Sequence, residues 1–274
     1  MTGISRDAFN SVVIAYAKSG DDNGPQKAEE IITLMDQIDT DSGSIGLCAP
    51  TVNTFTSLID AYAQKNEWEA ANQADRMLSR LLDEYLAGNK DLEPNIATWT
   101  IVINGWSRLS RKNRHGAAER AGRLLKRMED LYRDGKISCR PDAIAYVTCM
   151  NAYAFSKGGD GALEAEQLLD EMNEYYMDGD DSMKPSARSV RIVLDAYVKN
   201  GDMIAAEDLL DKYEEFLGSG EDEESSENLK DVYKSLLYGY TQSGDVREAR
   251  NYLEVMIEKN LKPDCTSFNR YVVF

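Results

Sequence analysis

One arrangement of apolar positions recurs along this chain. In VNTFTSLIDAYAQ, residues 52–64, Phe55 is followed three, four and seven residues later by Leu58, Ile59 and Tyr62. Those spacings put four side chains on one stripe of a helix. The same stripe is written by Phe9, Val12, Val13, Tyr16; by Trp99, Val102, Ile103, Trp106; and by Tyr146, Cys149, Met150, Tyr153. Val190, Val193, Leu194, Tyr197 and Tyr233, Leu236, Leu237, Tyr240 repeat it, and Phe268, Tyr271, Val272 begin a seventh copy. The residue before the last is small each time (Ala15, Ala61, Gly105, Ala152, Ala196, Gly239), which predicts close approach of a neighbouring helix.

A second helix follows each first one. Its stripe starts on an alanine: Ala28, Ile31, Ile32, Met35; Ala74, Met77, Leu78, Leu81; Ala121, Leu124, Leu125, Met128. Ala165, Leu168, Leu169, Met172, then Ala206, Leu209, Leu210, Tyr213 and Ala249, Tyr252, Leu253, Met256 complete six matches in six units. Turn sequences such as KSGD, KNGD and QSGD separate the two helices, and a proline closes the unit in CAPT, LEPN, CRPD, MKPS and LKPD. A single hairpin cannot bury its stripe alone, whereas stacked hairpins bury it against each other. The stripes, Trp99, Trp106, Tyr62 and Tyr153 included, are therefore expected in the core.

The unit 230–264, KDVYKSLLYGYTQSGDVREARNYLEVMIEKNLKPD, is 35 residues long and resembles a pentatricopeptide repeat. The related tetratricopeptide repeat carries Leu-Gly in its first helix, and that pair is absent here. The resemblance implies an all-α, right-handed α-solenoid of helix-turn-helix units at 6–51, 52–95, 96–142, 143–186, 187–229 and 230–264. Residues 265–274 read as a truncated unit and the chain as a fragment. The first five units have 46, 44, 47, 44 and 43 residues. Their excess is expected in added turns or loops at LLDEYLAGNKD, LYRDGKISC and YYMDGDDSM, and in GSGEDEESSEN, which reads as a solvated acidic loop.

Members of the family bind single-stranded RNA one base per unit, and the resemblance assigns base reading to the fifth and last residues. Here these pairs are Asn10 with Thr51, Thr56 with Asn95, Thr100 with Asp142, Val147 with Ser186, Arg191 with Leu229, and Lys234 with Asp264. Thr56/Asn95 resembles the adenine pair and Thr100/Asp142 the guanine pair, while Val147 and Leu229 offer no hydrogen bond to a base. The second residue of a unit is expected to lay an apolar surface against the base. Among Asp7, Asn53, Ala97, Ile144, Arg188 and Asp231, only Ile144 does.

Charge bears on this reading. The chain carries a net −17, against the basic footprint that phosphate binding favours. The fifth, ninth and thirteenth residues of the first helices share one face, and they hold Lys18, Arg108, Arg191, Lys199 and Lys234 against Asp60 and Asp195. Lys18, Arg108 and Lys199 are the candidate phosphate contacts, and Phe155 and Tyr238 are candidate stacking surfaces. Acid concentrates at 202–231, with twelve Asp/Glu and two Lys, whereas 108–140 holds eleven Lys/Arg and four Asp/Glu.

Catalytic chemistry is not indicated. The four cysteines form no CxxC pair and His115 is the single histidine, so zinc spacings and a deaminase motif are missing and no metal or cofactor is expected. There is no phosphate-binding glycine loop and no nucleophile elbow, and the acidic run 221–227 is too simple to be a nuclease centre. No apolar run is long enough to span a membrane. The expectation is a non-catalytic RNA-binding adaptor, located in mitochondria or plastids by family resemblance only, with no targeting peptide visible. The alternatives are a scaffold binding a protein partner on its concave surface, and the repeat part of a larger enzyme of the proteinaceous ribonuclease P type.

Overall fold

The computed structural model describes residues 6–42, 48–156, 160–217 and 223–261. The truncated unit 265–274, Asp264 and residues 157–159 lie outside them. The described residues form twelve α-helices and no strand: α1 Arg6–Lys18, α2 Gly24–Ser42, α3 Val52–Gln64, α4 Trp68–Leu86, α5 Ile96–Arg111, α6 Ala117–Arg133, α7 Ala143–Ala154, α8 Gly161–Met177, α9 Ala187–Asn200, α10 Met203–Leu217, α11 Glu223–Ser243 and α12 Val246–Glu258. The chain divides into two compact units, Met1–Cys149 and Met150–Phe274, and the division falls within α7.

In the first unit α1, α3 and α5 lie side by side, and α2 and α4 each pack on their own first helix and on the next one. In the second, α9 and α11 are neighbours, with α8 against α9 and α10 bridging α9 and α11. The predicted stripes are what these contacts bury. Phe55, Leu58, Ile59, Trp99, Ile103, Trp106, Val193, Leu194 and Leu236 are solvent-inaccessible. In α1, by contrast, Val12 and Tyr16 are exposed, and Tyr153 of α7, expected in the core, is only half-buried.

Local chemistry sets the ends of the helices. The Thr51 hydroxyl accepts the Thr54 N–H at 3.2 Å while Thr54 returns to the Thr51 N–H, a reciprocal box at the start of α3. Ser186 and Ser189 do the same for α9, and Asn95 Oδ1 accepts the Thr98 N–H at 2.9 Å to start α5. Each such cap contributes about 1 kcal/mol. At the other end, α9 stops on Gly201, whose φ of 78° lies in the left-handed region that a Cβ disfavours. The turn after α3 has no glycine, and Asn66 takes that conformation instead with φ 54°.

Of the small stripe residues, Gly105 and Gly239 stand at close helix contacts. A Cβ on Gly105 would lie 3.1 Å from the Ala63 Cβ, and one on Gly239 would lie 2.9 Å from a Val198 methyl. Gly105→Val is expected to force α3 and α5 apart and lower stability by about 1–3 kcal/mol, measured by urea denaturation. An unchanged midpoint would refute the close-packing role.

Two features of the long units differ from expectation. The extra residues after the second helices are not mere loops. They lengthen α4 and α8, and then form one-turn helices at Lys90–Leu92 and Asp181–Met183 that plant Leu92 and Met183 in the interior, each 1% exposed. Ile137 does the same after α6. The acidic stretch, expected as a loop, is helical from Glu223 onwards, and 218–222 lie outside the described residues. Leu229 is buried and extends the α11 stripe backwards from Val232 and Tyr233. Burial of Leu229 draws the preceding turn into helix. Among the described residues, no helix is long and apolar enough to cross a membrane.

Candidate nucleic-acid interface

The fifth residues of the first two units meet the next unit through a hydroxyl relay. Asn10 is 7% exposed, its Nδ2 donates to the Arg6 carbonyl at 3.0 Å, and its Oδ1 accepts from the Thr54 hydroxyl. Thr54 Oγ1 is also 2.8 Å from Thr51 Oγ1. One unit on, Thr56 Oγ1 lies 2.8 Å from Thr98 Oγ1, which donates to Asn95 Oδ1 at 3.0 Å. In both units the fifth and last residues are thus joined through the third residue of the following unit. Sequence reasoning passed over Thr54 and Thr98, although their spacing of three from Thr51 and Asn95 is a cap signature.

The remaining positions behave differently. Asp142 accepts the Ala145 N–H at 2.9 Å, and the Thr100 hydroxyl donates to its own helix at the Ile96 carbonyl. Position 145 is alanine, so no hydroxyl joins Thr100 to Asp142. Val147 is half-buried, and Ile144 is 65% exposed, as an apolar base platform requires. Ser186 caps α9. Leu229 lies within α11, where no cap is needed. Asp264 lies outside the described residues.

Two clefts run along the first helices. Between α1 and α3, a cleft of about 340 Å³ is lined by Lys18, Asp60 and Gln64, with Asp21, Asp22 and Lys65 at the turn end. Lys18 is exposed, and Arg108, half-buried on α5, makes no hydrogen bond or ion pair among the described residues.

The cleft between α9 and α11 measures about 530 Å³ and contains Arg191, Asp195, Lys199, Lys234, Tyr238 and Gln242, the whole predicted face of both helices. Asp231, the second residue of its unit, provides no apolar surface. It takes Arg191 Nη1 at 2.7 Å and stands 3.7 Å from Lys234 Nζ, fixing two cations in the wall. Lys199 Nζ lies 5.4 Å from the centre of the Phe155 ring and 3.5 Å from the Ala154 carbonyl. Tyr238 is 40% exposed. The cleft therefore presents three cations, an aromatic face and an amide within one turn or two of each other, which suits a phosphate and an unstacked base together.

A sequence model described as PPR repeat matches residues 53–73, 189–216 and 231–261, which cover α3 and the start of α4, α9 with α10, and α11 with α12. No curated protein matches the chain. Among solved structures, PPR10 in complex with an 18-nt psaJ RNA element shares 17% identity over 99% of this chain and 43% of its own, with a TM-score of 0.41. The structure of PPR10 from maize shares 18% over 100% and 42%, with a TM-score of 0.40. The chain spans less than half the length of these structures.

Proposed function

This chain is built of pentatricopeptide repeats, and from that premise we propose that it binds single-stranded RNA along its first helices as a non-catalytic adaptor. The observation that supports this reading best is the α9/α11 cleft, where Arg191, Lys199, Lys234, Tyr238 and Gln242 converge. Lys199 and Lys234 take phosphates, and Tyr238 stacks on a base. In the first unit, Thr56 with Asn95 and Thr100 with Asp142 read base edges, Asn10 with Thr51 supports the first position, and Lys18 and Arg108 face the backbone. Val147 with Ser186 and the Lys234/Asp264 pair contribute little discrimination, because neither resembles a reading pair. In this proposal the bound RNA is an organellar transcript whose processing, stability or translation the protein serves.

Fluorescence anisotropy of the chain with a degenerate single-stranded RNA pool, over a range of salt, tests the reading. Each cation that neutralises a phosphate adds about 0.7 to the slope of log K against log salt. Lys199→Ala with Lys234→Ala is therefore expected to flatten the slope by roughly 1.4 and weaken binding severalfold. Affinity and slope that match the unaltered chain would reject the cleft as the RNA site.

A further inference from the structure

A second charged groove lies on the second helices of the first unit, apart from the faces just described. It runs between α4 and α6, measures about 810 Å³, and is lined by five arginines: Arg76 and Arg80 from α4, and Arg120, Arg123 and Arg127 from α6. Asp75, Asp83 and Glu84 are interleaved with them, and buried Leu124 lies in its lining. We propose that this groove docks an acidic segment of a partner protein.

Some of the arginines are already engaged. Arg80 holds Asp36 and, at 2.8 Å, Glu84. Arg120 lies 3.9 Å from Asp75 and packs over the Trp106 ring, and Arg127 donates to the Ser79 hydroxyl at 3.0 Å. Arg76 and Arg123 are exposed and make no hydrogen bond or ion pair among the described residues. Two planar forks thus face a groove whose remaining cations are held in place, the geometry that takes carboxylates bidentately.

The groove exists where a repeated contact fails. The carboxylate following the stripe alanine normally receives a tyrosine hydroxyl from the next first helix: Glu29 from Tyr62 at 2.6 Å, Glu166 from Tyr197, Glu207 from Tyr240 at 2.6 Å. At Asp75 the tyrosine position is Trp106, whose indole N–H has no acceptor. Asp75 is left facing the arginines, and burial pushes its carboxyl up while Arg120, Arg127 and Arg123 hold it down.

Three observations favour a peptide over nucleic acid. Three carboxylates interleaved among five guanidiniums match a segment that brings both carboxylates and backbone N–H donors. No aromatic side chain lines the groove, so bases have no stacking platform. An apolar side chain at Leu124 suits an interleaved aliphatic residue.

The test is anisotropy of a fluorescein-labelled peptide of alternating glutamate and leucine with the full chain, beside a glutamine-leucine control. Salt-sensitive binding of the acidic peptide alone is expected, weakened about tenfold in Arg76→Ala with Arg123→Ala. The corresponding lysine variant should recover only part of it, since charge remains and the fork is lost. Absence of binding at low salt, or equal binding by the alanine variant, overturns the proposal. Displacement of the peptide by single-stranded RNA from Lys199→Ala with Lys234→Ala would instead assign the groove to phosphate. The arginine variant should retain RNA binding, so failure of one site is read separately from failure of the other.

Discussion

Stability of the second unit is expected to fall steeply once the pH passes about 10. Tyr197, Tyr213, Tyr240 and Tyr252 all have phenols held above their ordinary range, first by burial and then by hydrogen bonds to carboxylates. Tyr213 donates to Asp170 at 2.6 Å, and Tyr240 and Tyr252 share Glu207 at 2.6 and 2.7 Å. A phenol in the unfolded chain releases its proton near pH 10, while the folded one keeps it. Below that pH both states are protonated and the contribution is complete. As pH rises, each phenol withdraws about 1.4 kcal/mol per unit until its folded value is reached. Tyr62 is held by Glu29 in the same way in the first unit, so a loss over the same pH range is expected there too. Urea titrations at stepped pH, read by circular dichroism and tyrosinate absorbance, check this. A midpoint level from about pH 9 to about 11 would contradict it. Glu207→Gln should soften the slope, because two phenols lose their anionic acceptor.

Trp106→Ala should lower the stability of the first unit by about 3–5 kcal/mol. The ring is fully buried, packs edge-on against Trp68 with centroids 4.9 Å apart, and carries the Arg120 guanidinium at 5.7 Å. Alanine leaves a cavity between α4, α5 and α6, and the close Gly105–Ala63 contact holds α5 too near α3 to collapse into it. Trp106→Phe should cost only about 1 kcal/mol, since the indole N–H it removes has no acceptor to lose. Equilibrium unfolding followed by Trp68 and Trp99 fluorescence separates the two. Equal losses for both would place the energy in the N–H rather than in the packing.

The helices were readable because burial of a repeated stripe leaves a period of three and four in the sequence. Contacts between units leave none. Tyr62 meets Glu29 and Tyr197 meets Glu166 across some thirty residues of chain, and neither partner marks the other. The basic excess at 108–140 was visible, but only the fold adds Arg76 and Arg80 from α4 to make a groove. The acidic stretch before Lys230 misled because charge outweighed Leu229 in the reading, whereas burial decides the conformation. The candidate cleft was legible in part. Lys199, Lys234 and Tyr238 do share one cleft, while Asn10 is sunk beneath its neighbours. Asp231 acts on the arginine and lysine beside it rather than on a base.

The oxygen that ends one unit also begins the next helix. Thr51, Asn95, Asp142 and Ser186 belong to the four residue types that cap best, and each spends its side chain on a backbone N–H. Any specificity written at those positions is consequently confined to a small alphabet set by folding. On the proposed reading, exchanging Asn95 for Asp, Ser or Thr changes the base contact at little structural expense, whereas an aliphatic replacement removes that contact and loosens the helix together. Leu229 escapes the rule because α11 is already wound when it arrives, so a substitution there is free of the cap but not of the core.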